Sequence, residues 1–362
     1  RYIKKTIMKI SFLVTYYNQA RFVKQSLESI LALNVPCDYE ILVGDDGSTD
    51  GTVEEIKKYM TKNSNIKLFV MDRDVNVTYD AVLRASAIRL HLLENSKGSY
   101  YCILDGDDWY LTKTFVQEAL HTMEQDQTLS ICAFNFAWVS NDDIKIHSPS
   151  IKEGKNSAQE YLLTTYIHAA ACVFRNVFDM EKIQFMKELG FFDDQNIMAA
   201  HLQDGGMYYI PKVVLAYRQT GSGIWTGMSQ YEKHVLDAFE YDIFTKHAHK
   251  YEKEIRLRFF TSLKFVWSNR DRFYIELGSK KASNYISLAK KLDGLFYRII
   301  NFDKLNTKDR YCVRKILKDT LLHKFIRCAK CMFRLAGKIV KALLPYWLVD
   351  LFNKKNKPAI GQ

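Results

Sequence analysis

Residues 39–52 read YEILVGDDGSTDGT, an apolar run that passes straight into a polar, glycine-containing turn. Tyr39 to Gly44 is apolar enough to be a strand covered on both faces. Ser48, Thr49 or Asp50 can each cap a helix beginning near Thr52. The same grammar recurs on both sides. Upstream lie a buried strand (Ile10 to Thr15), a polar turn (Tyr16 to Ala20) and a helix (Arg21 to Leu33). Downstream come helix Thr52 to Met60, strand Ile66 to Met71, a helical stretch from Tyr79 to Glu94 and the apolar strand Tyr100 to Leu104. Strand and helix in strict alternation predict a doubly wound α/β sheet, whose ligand lies at the carboxyl ends of its strands. After Trp109 the pattern is mixed: a helix (Lys113 to Glu124), a strand (Ser130 to Val139), a polar hairpin-like stretch through Ser148 to Ser150, and a helix near Ala158 to Tyr166. From Tyr231 onward Gly and Pro nearly vanish, and the sequence reads as helical, basic and aromatic.

Composition narrows the function classes. With 362 residues, 48% of them hydrophobic, the chain can bury a full core and carry an appendage. Its net charge of +11 is unevenly spread. Residues 231–362 hold 29 basic and 13 acidic side chains, whereas the first 230 hold 23 and 28. A basic partner surface therefore belongs to the C-terminal part, where no nucleic-acid recognition motif is present, so no nucleic-acid partner is expected. The seven cysteines (Cys37, Cys102, Cys132, Cys172, Cys312, Cys328, Cys331) are odd in number and scattered, which suits reduced thiols and a cytoplasmic setting. Cys328 and Cys331 form a CxxC with no second pair at zinc spacing and read as two residues of a helix face. Neither a signal peptide nor an apolar run of about 18 residues is expected to carry the chain across a bilayer.

Three polar clusters fall at the expected sheet edge. Asp105, Asp107 and Asp108 follow a buried strand directly. Their mutual repulsion would raise their pKa values unless a cation held them together. Oxygen ligands suit Mn²⁺ or Mg²⁺, which also accept diphosphate oxygens. A solvated acidic turn capping the helix ahead is the plainer alternative. In the turn quoted above, a cap needs neither Asp45 nor Asp46. A carboxylate there can accept the imide N–H of a uracil, while Thr15 or Tyr17 from the third cluster can contact base or ribose.

The runs VTYYNQARFVKQSLESIL (residues 14–31), YEILVGDDGSTDGT (39–52) and YCILDGDDW (101–109), spaced as they are, resemble the donor half of family 2 glycosyltransferases of GT-A fold. The resemblance continues through HAAACVFRN (168–176), GFFDDQN (190–196) and YIPKVVLAYRQTGSGIW (209–225), covering about residues 8–230. It implies a nucleotide-sugar-binding half (8–108), an acceptor-binding half (109–230) and a basic helical region (231–362). It further implies that Asp105 and Asp107 form the DxD motif, that Asp107 and Asp108 lie nearest the metal, and that Asp46 meets the nucleobase. In the pair Asp193-Asp194 the pattern points to Asp194 as catalytic base, although the pair could simply open a helix at Gln195. Arg84 and Arg89 are both candidates for the donor phosphates, or else solvated helix residues, and Arg218 is a further phosphate candidate. Trp225 and His168 are candidate acceptor contacts that core packing would explain nearly as well. The QxxRW motif and membrane spans of processive relatives are lacking, which implies one sugar added per encounter.

In the tail, Lys324, Arg327, Lys330, Arg334, Lys338 and Lys341 recur at steps of three or four beside an apolar face, and Tyr346-Trp347-Leu348 follows Pro345. Such a basic amphipathic helix suits an anionic membrane surface, consistent with a lipid-linked acceptor at the inner face of the cell membrane. A helix packed on the domain with a solvated basic face is the alternative. The expected activity is therefore inverting transfer of a single sugar from a nucleotide-diphosphate donor, UDP first among them, to a glycan or lipid-linked hydroxyl in cell-surface polysaccharide assembly. A non-catalytic sugar-nucleotide-binding or scaffolding protein on the same fold is the rival reading.

Overall fold

The computed structural model describes residues 10–269, apart from positions 75, 77–80, 141–142, 165, 191, 222, 226 and 246–247. All of them fall within one compact unit, Arg1–Asp293. The basic stripe expected between Lys324 and Lys341, with Cys328 and Cys331, lies outside the described residues.

The first half alternates as its sequence predicts: β1 (Ile10–Tyr16), α1 (Ala20–Leu31), β2 (Tyr39–Asp45), α2 (Thr52–Met60), β3 (Ile66–Val70), α3 (Ala81–Glu94) and β4 (Tyr100–Asp105). Every residue of β1 is buried, which explains why it reads as an unbroken apolar run and not as an alternating one. On α1 the buried residues Val23, Ser26, Leu27 and Ile30 recur at helical spacing and face the sheet.

The second half comprises β5 (Trp109–Tyr110), α4 (Phe115–Gln125), β6 (Leu129–Val139), β7 (Ile144–Ile146), β8 (Gly154–Asn156), α5 (Ala158–Thr164), β9 (Cys172–Arg175), α6 (Met180–Leu189), α7 (Asp194–Asp204), β10 (Gly206–Arg218), α8 (Gln230–Phe244) and α9 (Glu252–Ser268). The sheet runs β3-β2-β1-β4-β9-β6-β10-β5, with β7 added to β6 and β8 to β10. It is mixed, as expected. β1, β2, β3 and β4 pair in parallel, whereas β9 is antiparallel to both of its neighbours. The long β10 is not apparent in the sequence because Pro211 interrupts it. The structure accommodates the missing N–H with a register shift against β6 between Ile210 and Val213.

Candidate active site

Strand register assembles the site. β1 pairs with β2 from Ile10↔Tyr39 to Tyr16↔Asp45, and with β4 from Ile10↔Tyr100 to Thr15↔Asp105. Thr15, Asp45 and Asp105 therefore end side by side at one edge, where the three turns meet. Gly106 closes the corner, because a Cβ there would run into the Tyr16 ring and approach Gln19 Oε1 to 2.7 Å. Gly47, at φ +73°, supplies the left-handed turn after Asp46.

The Asp105-Gly-Asp-Asp turn concentrates charge in a buried place. Thr15 Oγ1 donates to Asp105 Oδ1 (3.3 Å), and the part-buried Arg89 guanidinium pairs with the same oxygen at 2.5 Å. Burial alone would raise the Asp105 carboxyl, but Arg89 outweighs it and holds the group below its ordinary value. Among the described residues Asp107 and Asp108 form no such ion pair, and the Arg218 charge only partly offsets theirs. Burial, followed by the neighbouring carboxylates, raises Asp107, and raises Asp108 well above the usual carboxylate range. Asp108 Oδ1 accepts the Arg218 backbone N–H at 2.8 Å, while its buried Oδ2 has no hydrogen-bond partner among the described residues. Ligand atoms of Asp105, Asp108 and His168 lie within 4.8 Å of one another. Two carboxylates with an orphaned oxygen between charged neighbours fit a hard divalent cation that leaves positions for phosphate oxygens. His168 Nδ1 already accepts the Ala170 N–H (3.2 Å), so the carboxylates are the better donors. The convergent group thus contains Asp105 and Asp108, both named from sequence, and His168, expected to meet acceptor. Asp107 is not in it.

Across the edge, the buried Asp46 forms ion pairs with Arg73 (2.7 Å) and with Arg84. Arg73 stacks over the exposed Tyr17 ring at 4.0 Å and donates to its hydroxyl at 3.0 Å. Arg84 and Arg89, the two phosphate candidates, therefore sit on Asp46 and Asp105 respectively. Both oxygens of Asp45 are taken by Ser48, from the backbone N–H (2.8 Å) and the hydroxyl (2.6 Å), so Asp45 braces the turn. Arg218 lies between the rings of Phe22 (4.5 Å) and Trp109 (4.4 Å), with Nε on the Asp107 carbonyl (2.7 Å) and Nη2 on Gln25 (2.5 Å). It supports the aspartate turn from below, and desolvation lowers its pKa.

The second acidic pair divides its work. Asp193 is the N-cap of α7, accepting the Gln195 and Asn196 N–H groups at 3.1 and 3.2 Å. Asp194, in the first turn, accepts the Tyr166 hydroxyl at 2.5 Å and the Ala169 N–H at 3.2 Å, and lies 3.8 Å from His168 Nδ1. Burial and the Asp194 charge push the Tyr166 hydroxyl well up, so it remains a donor. His168 packs on Tyr217 (4.5 Å) and links Asp194 to the aspartate cluster. Trp225 is exposed and lies under Lys233 at 5.2 Å, a partner outside that cluster. Arg73 and Tyr166 escaped the sequence reading, since each meets its acid across 27 or 28 residues with no motif to mark it.

Residues 11–181 match the model of the glycosyl transferase family 2. The chain has the fold of the GT-A glycosyltransferases. Over 103 residues it is 33% identical to the poly(ribitol-phosphate) beta-glucosyltransferase of Bacillus spizizenii, an alignment that covers 28% of this chain and 15% of that protein. Over 219 residues it is 28% identical to an uncharacterized glycosyltransferase of Mycoplasma pneumoniae, covering 57% and 70%. The chain spans 58% of an uncharacterized Mycobacterium tuberculosis protein at 19% identity, so it matches only part of its first curated relatives. Among solved structures, S. aureus TarS 1–349 in complex with UDP-GlcNAc superposes with a TM-score of 0.56 at 18% identity, covering 86% of this chain and 89% of that one. Among the described residues no helix is long and apolar enough to cross a membrane.

Proposed function

We propose that the chain transfers one sugar per encounter from a UDP-sugar to a hydroxyl of a glycan or lipid-linked acceptor, with inversion, in cell-surface polysaccharide assembly. The observation that carries this reading is the placement of Asp194, oriented by Tyr166 and Ala169 and joined through His168 to the Asp105-Asp108 cluster. Inversion needs a base on the acceptor side and positive charge on the departing diphosphate opposite. Asp194 takes the acceptor hydroxyl's proton. Asp105 and Asp108, with Asp107 beside them, hold Mn²⁺ or Mg²⁺, which when bound offsets the negative charge of the diphosphate. Asp46, oriented by Arg73 and Arg84, accepts the base imide N–H, and Tyr17 offers its ring to base or ribose. Arg84 or Arg73 is within the same corner for the phosphates. TarS binds UDP-GlcNAc and the Bacillus relative is a poly(ribitol-phosphate) glucosyltransferase, which makes UDP-GlcNAc and UDP-glucose the first donors to try. In this reading the basic region after residue 230 holds the enzyme at the cytoplasmic face of an anionic membrane, and residues 109–230 receive the acceptor.

A panel of nucleotide sugars, assayed for hydrolysis and transfer with Mn²⁺, with Mg²⁺ and with EDTA, tests the reading. Turnover of a UDP-sugar that stops in EDTA is expected. Metal-dependent binding without turnover of any donor would favour a sugar-nucleotide-binding protein instead.

A further inference from the structure

The residue before Asp194 connects it to a helix that the donor site does not use. Asn196 Nδ2 donates to Asp193 Oδ1 at 3.2 Å and to Glu240 Oε2, from α8, at 2.7 Å. Asn196 and Glu240 are 1% and 2% exposed. One buried amide thus holds the Asp193 and Glu240 carboxyls together. Asp194 stands beside Asp193 on α7, and α8 adds Asp237, which accepts from Ser262 on α9, and the Tyr241 hydroxyl. Among the cations, Arg89 on α3 is paired with Asp105, and Arg258 on α9 reaches Gln195 Oε1 (3.0 Å), Tyr241 (3.5 Å) and the carbonyls of Tyr161 (3.4 Å) and Leu162 on α5. Burial and the surrounding acids favour keeping a proton on the pair and push Glu240 well up.

We propose that Glu240 is a positioning residue for Asp194: through the Asn196 amide it ties α8 to the first turn of α7 and so fixes the carboxylate that faces the acceptor. The inference rests on Asp194 being the base. Asp193 uses one oxygen both to cap α7 and to meet the Asn196 amide, so a shift of Glu240 is passed directly to the turn that carries Asp194. Ionising both acids would set two buried carboxylates against each other and loosen that turn. Glutamine at 240 keeps, without ionising, an oxygen that accepts from Asn196. Alanine does not.

The test compares the full chain as wild type, Glu240→Gln, Glu240→Ala and Asp194→Asn. Amide exchange over residues 194–199, measured without donor at pH 6.5 and 8.5 and corrected for intrinsic exchange, reads the α7 turn. Glu240→Ala is expected to raise exchange there by at least about tenfold, while Glu240→Gln stays near wild type, as expected of a local opening. Wild type should lose protection as pH rises and Glu240→Gln should not. In Mn²⁺-dependent turnover of UDP-sugars, Glu240→Ala should lower kcat by about tenfold to a hundredfold with donor KM little changed, the cost of a base displaced by about 1 Å. Unchanged exchange in Glu240→Ala, or Glu240→Gln as damaged as Glu240→Ala, overturns the proposal. If Asp194→Asn is inactive and Glu240→Ala turns over normally, the positioning role alone fails. If Asp194→Asn keeps full turnover, the base assignment fails and takes the positioning role with it.

Discussion

Gly106→Ala isolates the part played by the aspartate turn. Its φ is not among the positive values, so alanine brings no backbone strain and the effect is steric. The added Cβ would lie 2.5 Å from Tyr16 Cε1 and closer still to Cδ1, against an ordinary carbon contact of about 3.5–4.0 Å. Tyr16 cannot yield easily. It is 2% exposed and its hydroxyl is bonded to Ser26 on α1. The turn must therefore move by about 1 Å or more, taking Asp105 and Asp107 with it. Overpacking of this kind costs about 1–3 kcal/mol of stability. A displacement of that size in a metal and phosphate site should weaken donor binding by at least about tenfold. Thermal denaturation and calorimetric titration of UDP with Mn²⁺ measure both effects. Gly154→Ala is the control, because Gly154 has φ +108° with nothing within 4 Å, so it should lose some stability and no UDP affinity. Equal affinity in Gly106→Ala and wild type would refute the reasoning.

Other perturbations reach the same edge from different sides. Asp108→Ala should abolish the Mn²⁺ dependence of UDP binding while keeping the fold, since it removes the orphaned Oδ2; calorimetry with and without EDTA decides it. Arg89→Met should destabilise the protein by about 1–3 kcal/mol, because it leaves the part-buried Asp105 carboxylate without its cation; denaturant titration gives the value. His201, buried with Nδ1 on the Ile197 carbonyl (2.7 Å) and Nε2 on the Tyr101 hydroxyl (3.1 Å), has its pKa lowered to about 4, chiefly by desolvation. The unfolded chain binds a proton near its ordinary value, so this contribution is complete above pH 6.5 and is lost as pH falls toward 4. Between those limits wild type should lose about 3 kcal/mol relative to His201→Gln, read as the difference between their stability-versus-pH curves.

The donor half was legible because its strands are short apolar runs ending in turns of Asp, Gly, Ser and Thr, and each of β1 to β4 begins or ends within a residue or two of its expected limit. The acidic turns could be placed at one edge from alternation alone. Their internal chemistry could not. Arg218 reads as a free cation in YRQTGSG, yet it folds between Phe22 and Trp109, rings 196 and 109 positions away. Arg84 and Arg89 are five apart on α3, and only the packing of that helix across β1 and β2 shows that one meets Asp46 and the other Asp105. α7 has no clean polar face, with Asn196, Ile197, Met198, Ala199, His201, Leu202 and Gln203 all buried, so periodicity does not announce it. Glu240 looks like any acidic residue of a surface helix until α8 is seen to bury it against the Asn196 amide.

Asp194→Asn tests the central claim most directly. The asparagine keeps size, and its oxygen can accept the Ala169 N–H while its NH₂ donates to the Tyr166 oxygen, but it cannot take a proton at neutral pH. The account predicts an intact fold, UDP affinity within about twofold of wild type, and transfer reduced at least about a hundredfold, the share of a positioned general base. Transfer at the wild-type rate by Asp194→Asn would contradict it.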